Sequence, residues 1–165
     1  MALFYPTCSV GRVTEITPGF MEALGIRALV LDVDNTLTTH DNPHPFQDIA
    51  VWLEEMKAQR VPMLIVSNNN PERVRPFAEI LGLPFVADGA KPLAKGFREA
   101  AARLGLPPRE IGVVGDQIFT DILGGNLFGA KTVLVQPLGP ETKNFIKFKR
   151  KLERVVLVGY RPGKS

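Results

Sequence analysis

The sequence predicts an α/β protein with a central, mainly parallel sheet covered by helices. Short apolar segments rich in valine, isoleucine and leucine alternate along the chain with longer segments of helical composition. This alternation is typical of parallel sheets, because each crossover between parallel strands places a helix on one face of the sheet. The length of 165 residues suits a single domain, residues 1–165, with a substantial core.

The apolar segments predicted as strands are Ala28–Val33, Met63–Ser67, Pro84–Ala87, Ile111–Gly115 and Lys131–Val135. The predicted helices are Phe46–Gln59, Pro71–Leu81, Pro92–Leu104, Thr120–Phe128 and Glu141–Leu152. The helix at Pro71 has clear boundaries, because Asn70 is a good N-cap and Gly82 follows the last helical residue. Before residue 28 the pattern is weaker, and Pro18 with Gly19 indicates only a short helix or turn.

Two aspartates, Asp32 and Asp34, stand at the end of the first predicted strand. Because side chains alternate across a strand, both carboxylates start on the same side. Their repulsion at the end of a buried strand is relieved by a cation, and hard oxygen ligands suit magnesium. The residues alone leave a simpler alternative, a solvated turn in which Asn35 and Thr36 are ordinary turn residues.

Other polar residues stand where later strands end. The hydroxyl of Ser67 can bond a phosphoryl oxygen, although, taken alone, an N-capping run before the next helix explains it more simply. Lys91 lies near a predicted helix start, where the helix dipole disfavours a cation, so a functional role is favoured. Asp116 ends another strand, and Asp121 starts a helix, where capping alone also favours an acid. Ligands of parallel sheets bind beyond the carboxyl ends of the strands, so these residues predict one site.

In their order along the chain, these motifs resemble those of the haloacid dehalogenase superfamily, roughly from Leu29 to Val135. The resemblance implies a three-layer Rossmann-like fold without a large cap domain. The sequence is most similar to subfamily IIIA and, within it, to the YqeG-type family, which looks related to mitochondrial phosphatidylglycerophosphate phosphatase. The motifs that carry the resemblance are Thr14–Pro18, Asp32-Val-Asp34-Asn-Thr36-Leu, Ser67-Asn-Asn, Lys91 and Gly115-Asp116-Gln-Ile-Phe-Thr-Asp121.

The resemblance implies a magnesium-dependent phosphatase that forms an aspartyl-phosphate. By this resemblance Asp32 is the nucleophile, Asp34 is the general acid and base, and Lys91 neutralises charge on the phosphoryl group. The implied metal ligands are Asp32, Asp116 and the backbone carbonyl of Asp34. Asp121 lies behind the ligands and orients Lys91 or a metal-bound water. The residues implied to contact the substrate are Thr36, Ser67, Asn68 and Lys91.

The spacing between motifs bears on the substrate. Residues 38–62 and 68–90 leave no room for a separate cap domain, so we expect an open site. An open site suits a large substrate such as a protein, a nucleic acid end or a lipid headgroup, or one covered by another subunit of an oligomer. The family resemblance makes a lipid phosphomonoester one concrete substrate.

The composition of the chain bears on the cellular compartment of the protein. The single cysteine, Cys8, excludes an internal disulfide and fits a reducing compartment, and the sequence shows neither a signal peptide nor a membrane span, so we expect a cytoplasmic protein. Residues 141–158 form a basic segment with interspersed aromatic and aliphatic residues. Such a segment can bind an anionic membrane surface, with about 1 kcal/mol per basic residue. It could also contact nucleic acid phosphates, which we do not expect here, or form a solvated helix face.

Three other functions compete with this hypothesis. A phosphatase acting on sugar-acid or nucleotide phosphates belongs to the same class of enzyme. A phospho-acceptor module would also place acids, a hydroxyl and a lysine at strand ends, but its paired acids belong to the first strand and its acceptor to the third. A non-catalytic binding protein on the same scaffold is disfavoured by the complete set of acids.

Overall fold

The computed structural model describes residues 2–139, 150, 151, 153, 154 and 158. Its centre is a six-stranded sheet in the order β1-β6-β5-β2-β3-β4, with every neighbouring pair parallel. The strands are β1 (Cys8–Val10), β2 (Ala28–Leu31), β3 (Met63–Val66), β4 (Phe85–Val86), β5 (Ile111–Gly115) and β6 (Lys131–Val135). The helices are α1 (Pro18–Ala23), α2 (Gln47–Ala58), α3 (Pro71–Leu81), α4 (Lys95–Leu104) and α5 (Leu123–Phe128). The predicted α/β class is confirmed.

Most predicted elements are present with small changes at their ends. The helix predicted over Pro71–Leu81 has those bounds, and Asn70 Oδ1 accepts a hydrogen bond from the Arg73 amide as an N-cap. Gly82 ends this helix in the left-handed region at φ 63°. The strand β1 was missed by the sequence analysis, because three residues are too short to show an alternating pattern and their pairing with β6 is a long-range contact.

Two helix predictions need correction. The helix expected from Pro92 begins at Lys95, because the preceding residues form a turn in which the Leu93 amide bonds the Ala90 carbonyl. The helix expected from Thr120 begins earlier, as a π-helical turn over Ile118–Ile122 that continues into α5. The helix predicted over Glu141–Leu152 and the basic segment 141–158 lie largely outside the described residues.

Both faces of the sheet are buried. Leu29 and Leu31 of β2 pack on one face in a cluster that contains Trp52 of α2 and Phe77 of α3. Val30 points to the other face and belongs to a cluster with Phe97 of α4. The alternation along β2 therefore fills two apolar layers, which explains why its sequence is a continuous apolar run.

Close helix packing depends on a glycine in α5. A Cβ added at Gly125 would lie 2.6 Å from Cγ2 of Thr132 in β6. Any larger residue would push α5 away from the sheet, so the glycine sets this distance.

Candidate active site

Adjacent strands bring the predicted site residues to one edge of the sheet. Because β5, β2 and β3 are neighbours, the residues that follow them lie side by side at their carboxyl ends. The side chains predicted for catalysis, metal binding and substrate contact are mostly buried here, at no more than 8% exposure: Asp32, Asp34, Thr36, Ser67, Lys91, Asp116 and Asp121. Asn68 is exposed at the rim of the group.

Lys91 is the cation at the centre of this group. Its Nζ lies 2.7 Å from Asp32 Oδ1 and 2.6 Å from Asp121 Oδ1. Burial alone lowers the pKa of Lys91, but the carboxylates of Asp121 and Asp32 outweigh it and raise the pKa above its ordinary value. Lys91 is therefore a fixed positive charge beside the carboxylate of Asp32.

The peptide of Lys91 is held by Asn68. The Lys91 amide donates to Asn68 Oδ1 at 2.7 Å, and Asn68 Nδ2 donates to the Lys91 carbonyl at 3.0 Å. The substrate contact that the resemblance implies for Asn68 stays a prediction, and these two bonds show that its amide also holds the Lys91 peptide. Lys95, the next lysine along the chain, is exposed at the start of α4.

Asp121 combines the two roles that the sequence left open. Its Oδ1 accepts from Lys91, and its Oδ2 accepts from the Gln117 amide at 3.2 Å, at the beginning of the π-helical turn. This arrangement needs glycine at position 115, because a Cβ there would lie 2.2 Å from the Asp121 carboxylate. Gly115 thus serves the close approach of Asp121 to the strand end.

Asp32 lies in a dry, acidic environment. The pKa of Asp32 is raised to about 7, mainly by burial and further by the carboxylates of Asp121 and Asp34, against the opposing effect of Lys91. In such surroundings any further positive charge stabilises the ionised form of the carboxylate. A divalent cation beside it would keep Asp32 ionised at neutral pH.

Asp34 has different partners, which the sequence analysis missed. Asn69 Nδ2 donates to Asp34 Oδ2 at 2.7 Å, and Arg73 Nη2 donates to Asp34 Oδ1 at 2.8 Å. His40 Nδ1 lies 3.6 Å from Asp34 Oδ1. Asn69 could have been found in the polar run after β3, but Arg73 and His40 carry no local signal. His40 lies half-buried beside Asp34, in the loop that follows it.

The acidic cluster suits a metal ion. Carboxylate oxygens of Asp32, Asp116 and Asp121 lie within 4.8 Å of one another. Asp116 Oδ1 is buried and has no hydrogen-bond partner among the described residues. A buried carboxylate oxygen left without a donor is what a hard cation would satisfy, so these residues fit a divalent metal. The side chain of Asp34 is not in this cluster, and the resemblance implied only its backbone carbonyl.

Two hydroxyls stand beside the cluster. Ser67 Oγ accepts from the Asn69 amide at 3.1 Å, so this serine also shapes the turn after β3. Thr36 Oγ1 is buried and, within the described part of the chain, has no hydrogen-bond partner. A buried hydroxyl without a partner is able to donate a hydrogen bond to a ligand oxygen.

Residues of the basic C-terminal segment reach the same edge of the sheet. The Arg150 guanidinium bonds the carbonyl and Oδ2 of Asp116, and its side chain is only 14% exposed. The Phe119 amide donates to Glu153 Oε1 at 3.2 Å. A purely solvated or lipid-facing role therefore does not describe Arg150. Sequence reasoning missed this contact because Arg150 is one of several basic residues that look alike.

A groove of about 450 Å³ opens beside Ser67 and Asn69. Its walls include Arg73, Phe77 and Ile80 of α3. Across the described residues, none of the helices combines the length and the apolar character that crossing a membrane requires.

Comparisons with known proteins identify the family. A family model described as haloacid dehalogenase-like hydrolase matches residues 39–129, and one described as mitochondrial PGP phosphatase matches residues 1–75. The probable phosphatase YqeG of Bacillus subtilis strain 168 is 38% identical over 154 residues, which cover 93% of this chain and 90% of that protein.

Two further matches extend this finding. The chloroplastic phosphatidylglycerophosphate phosphatase 1 of Chlamydomonas reinhardtii is 33% identical over 130 residues, covering 72% of this chain and 47% of that protein, so the match spans about half of its length. The solved structure of NagD from E. coli K-12 is similar in fold alone, with a TM-score of 0.60 and 13% identity over 83% of this chain and 94% of that one.

The fold and the acidic site, with these matches, define a class of enzyme. The chain belongs to the haloacid dehalogenase-like hydrolases and, within them, to the family of the YqeG phosphatase. It is a phosphatase of that superfamily.

Proposed function

We propose that this phosphatase hydrolyses a lipid phosphomonoester of the phosphatidylglycerophosphate type, with Asp32 as its nucleophile and Mg²⁺ as its metal. The observation that carries the mechanism is the position of Asp32. Its carboxylate lies at the strand end, 2.7 Å from the Lys91 ammonium and within 4.8 Å of carboxylate oxygens of Asp116 and Asp121. A carboxylate so placed can attack phosphorus while Lys91, and a metal ion held by the acids, would bind the phosphoryl oxygens.

The proposed reaction has two displacements. An Asp32 oxygen forms a bond to phosphorus, the ester P–O bond breaks, and Asp34 gives its proton to the departing alkoxide. Asp34 then takes a proton from water, whose oxygen attacks the aspartyl-phosphate, and the bond to Asp32 breaks to release inorganic phosphate. Lys91, Ser67 and Thr36 hold the phosphoryl oxygens during both displacements.

The metal would be held by Asp32, Asp116 and the carbonyl of Asp34. When bound, Mg²⁺ supplies positive charge that neutralises the phosphoryl oxygens. Asp121 positions Lys91 through the bond between its Oδ1 and the Lys91 Nζ. Arg150 bonds Asp116 through Oδ2, which leaves Oδ1 as the oxygen offered to a cation.

Two similarities favour the lipid substrate. The chloroplastic relative is named for its action on phosphatidylglycerophosphate, and the N-terminal 75 residues match the family described as mitochondrial PGP phosphatase. A peripheral contact between the basic segment 141–158 and an anionic membrane would bring the enzyme to such a substrate. The single cysteine favours a cytoplasmic enzyme that acts at the membrane surface.

A substrate comparison tests this proposal. Purified protein with Mg²⁺ is assayed for phosphate release from short-chain phosphatidylglycerophosphate, sugar phosphates, nucleotides and phosphopeptides, with EDTA and Asp32→Asn as controls. We expect the highest kcat/KM with the lipid. A higher kcat/KM with a sugar phosphate or a nucleotide would contradict the proposed lipid substrate. Full activity of Asp32→Asn would contradict the assignment of Asp32 as the nucleophile.

A further inference from the structure

The groove beside the acidic cluster runs along one stripe of α3. Asn70, Arg73, Phe77 and Ile80 all line it, and they are three or four residues apart, so they share one face of the helix. Because α3 begins at the strand ends and leads away from them, this stripe starts next to the catalytic carboxylates. The groove volume of about 450 Å³ lies in the range of small-molecule sites.

The chemistry of the groove changes along this stripe. Near the strand ends its wall is polar, with Asn69, Asn70 and Arg73. Farther along α3 the wall is apolar, and there Phe77 is buried while Ile80 keeps 51% of its surface exposed. A ligand that matches both parts carries a polar or charged group near Arg73 and an apolar group near Ile80.

Arg73 lines this groove and has donors left over from its contacts with Asp34 and His40. Its Nη2 donates to Asp34 Oδ1 and, at 2.6 Å, to the His40 carbonyl. Within the described residues its Nε and Nη1 donate no hydrogen bond, and 44% of the side chain is exposed. Each of these two nitrogens can donate a charge-assisted hydrogen bond to a phosphate oxygen.

The position of Arg73 also relates it to the reaction. In the proposed mechanism Asp34 protonates the departing oxygen, so the leaving alcohol lies on the Asp34 side of the phosphoryl group. Arg73 is bonded to Asp34 and lines the groove on that side, whereas Lys91 is bonded to Asp32 and Asp121. Glu72 also lines the groove, so Arg73 is the cation of its two charged lining residues and the one able to pair with an anionic group.

We infer that this groove binds the leaving group of the substrate, an acylglycerol joined through a phosphodiester. The inference rests on the proposed function and adds a specificity site to it. Arg73 pairs with the phosphodiester, which in phosphatidylglycerophosphate is separated from the monoester by one glycerol unit. The apolar end at Phe77 and Ile80 holds the beginning of the acyl chains.

The kinetic test compares three substrates: short-chain phosphatidylglycerophosphate, its deacylated counterpart, and glycerol 3-phosphate, which lacks the phosphodiester. Arg73→Ala should lower kcat/KM for both phosphodiester substrates about 10- to 100-fold more than for glycerol 3-phosphate, the usual cost of a lost charged hydrogen bond. Ile80→Ser should lower kcat/KM for the acylated substrate alone. An equal fall for all substrates with Arg73→Ala would mean that Arg73 acts only on Asp34, and would overturn the inference.

The matched control is Arg75→Ala, which removes the same charge from the same helix. The Arg75 guanidinium lies over the ring of Phe85, 5.8 Å from its centroid, and Arg75 is not part of the groove wall. We expect Arg75→Ala to change kcat/KM by the same small factor for all three substrates. If Arg75→Ala lowered kcat/KM selectively for the phosphodiester substrates, the effect would be one of general charge, and a role specific to Arg73 would be refuted.

A binding measurement separates this inference from the proposed function. Short-chain phosphatidylglycerol carries the phosphodiester but no hydrolysable monoester, and its affinity for the Asp32→Asn protein is measured by calorimetry. Adding Arg73→Ala should weaken the binding at least tenfold, and adding Arg75→Ala should not. Absent or unchanged binding refutes the groove assignment even if the wild-type enzyme hydrolyses the lipid, and binding that depends on Arg73 supports it even if turnover fails.

Discussion

Asp32 and Asp34 are two residues apart and equally buried, yet they stand in different surroundings. Asp32 faces Lys91 and the carboxylate of Asp121, in a part of the site where burial raises its pKa. Asp34 accepts hydrogen bonds from Asn69 and Arg73, at the edge of the groove along α3.

This difference supports the two chemical roles that we propose for one strand end. The alternation of β2 brings the carboxylates to the same side, but the elements that surround them decide what each can do. Asp32 is held against a buried cation and a candidate metal site, which suits a nucleophile. Asp34 lies next to a groove that leads to solvent, which suits proton exchange with a leaving group and with water. The following predictions test this contrast, beginning with the largest effect.

Asp32→Asn should reduce phosphatase turnover below detection, because an amide cannot form the aspartyl-phosphate. The fold should remain, since the substitution keeps the side-chain shape and removes a buried charge. The measurement is phosphate release with Mg²⁺, accompanied by a thermal unfolding curve. A variant that keeps full turnover would remove the distinction between the two aspartates.

Asp34→Asn should lower kcat about 10²- to 10⁴-fold with an alkyl phosphate, the usual contribution of a general acid or base. With p-nitrophenyl phosphate the rate of the first displacement should fall less, because p-nitrophenolate leaves without a proton. Steady-state and burst kinetics on both substrates make the comparison. Identical losses on the two would argue against proton donation by Asp34.

Lys91→Met should destabilise the protein by about 3–5 kcal/mol, since it leaves the buried carboxylates of Asp32 and Asp121 without their shared partner. Urea unfolding measures this change in free energy. Lys95→Met is the matched control, because Lys95 is exposed, and it should change stability by no more than about 0.5 kcal/mol. Similar effects of the two substitutions would contradict the buried ion-pair arrangement.

Without metal, the stability of the protein should fall as the pH rises from about 4 to about 7. The folded-state pKa of Asp32 is raised from 3.8 to about 7, so in this range the folded protein binds a proton that the unfolded chain has lost. The stabilisation is full at lower pH and is lost as Asp32 ionises. Unfolding in EDTA across this range measures the slope, and Asp32→Asn should flatten it. An unchanged slope in that variant would assign the titration to another group.

Asn69→Ala should have the smallest effect, a loss of about 1 kcal/mol in stability or less, because it removes one partly solvated hydrogen bond to Asp34. Denaturant unfolding measures it, with the neighbouring exposed Glu72→Ala as a control. A loss as large as that of Lys91→Met would mean that Asp34 is as dependent on a single partner as Asp32.

Much of the fold follows from local signals. The apolar runs predicted five of the six strands, and capping residues predicted α3 at both ends. The strand β1 carries no such signal, because its three residues become a strand only through pairing with β6. The start of α4 was predicted too early, because Pro92 is equally suitable for a turn and for a helix start.

The candidate site likewise contains residues that the sequence predicted and residues that it did not predict. The sequence named Asp32, Asp34, Lys91, Asp116 and Asp121 because each lies at a predicted strand end or near a predicted helix start, and the structure brings them to one edge of the sheet. It did not name Arg73 or Arg150, whose partners lie 39 and 34 positions away along the chain.

The sequence by itself determined the class of fold, the family and the identity of the acids at the strand ends, because periodicity and short motifs are local properties of the chain. Tertiary structure alone decided that Asp34 bonds Arg73, that Arg150 reaches Asp116, and that a groove lies beside the catalytic edge. These contacts join distant segments, and their geometry depends on how helices pack against the sheet, which no local pattern encodes.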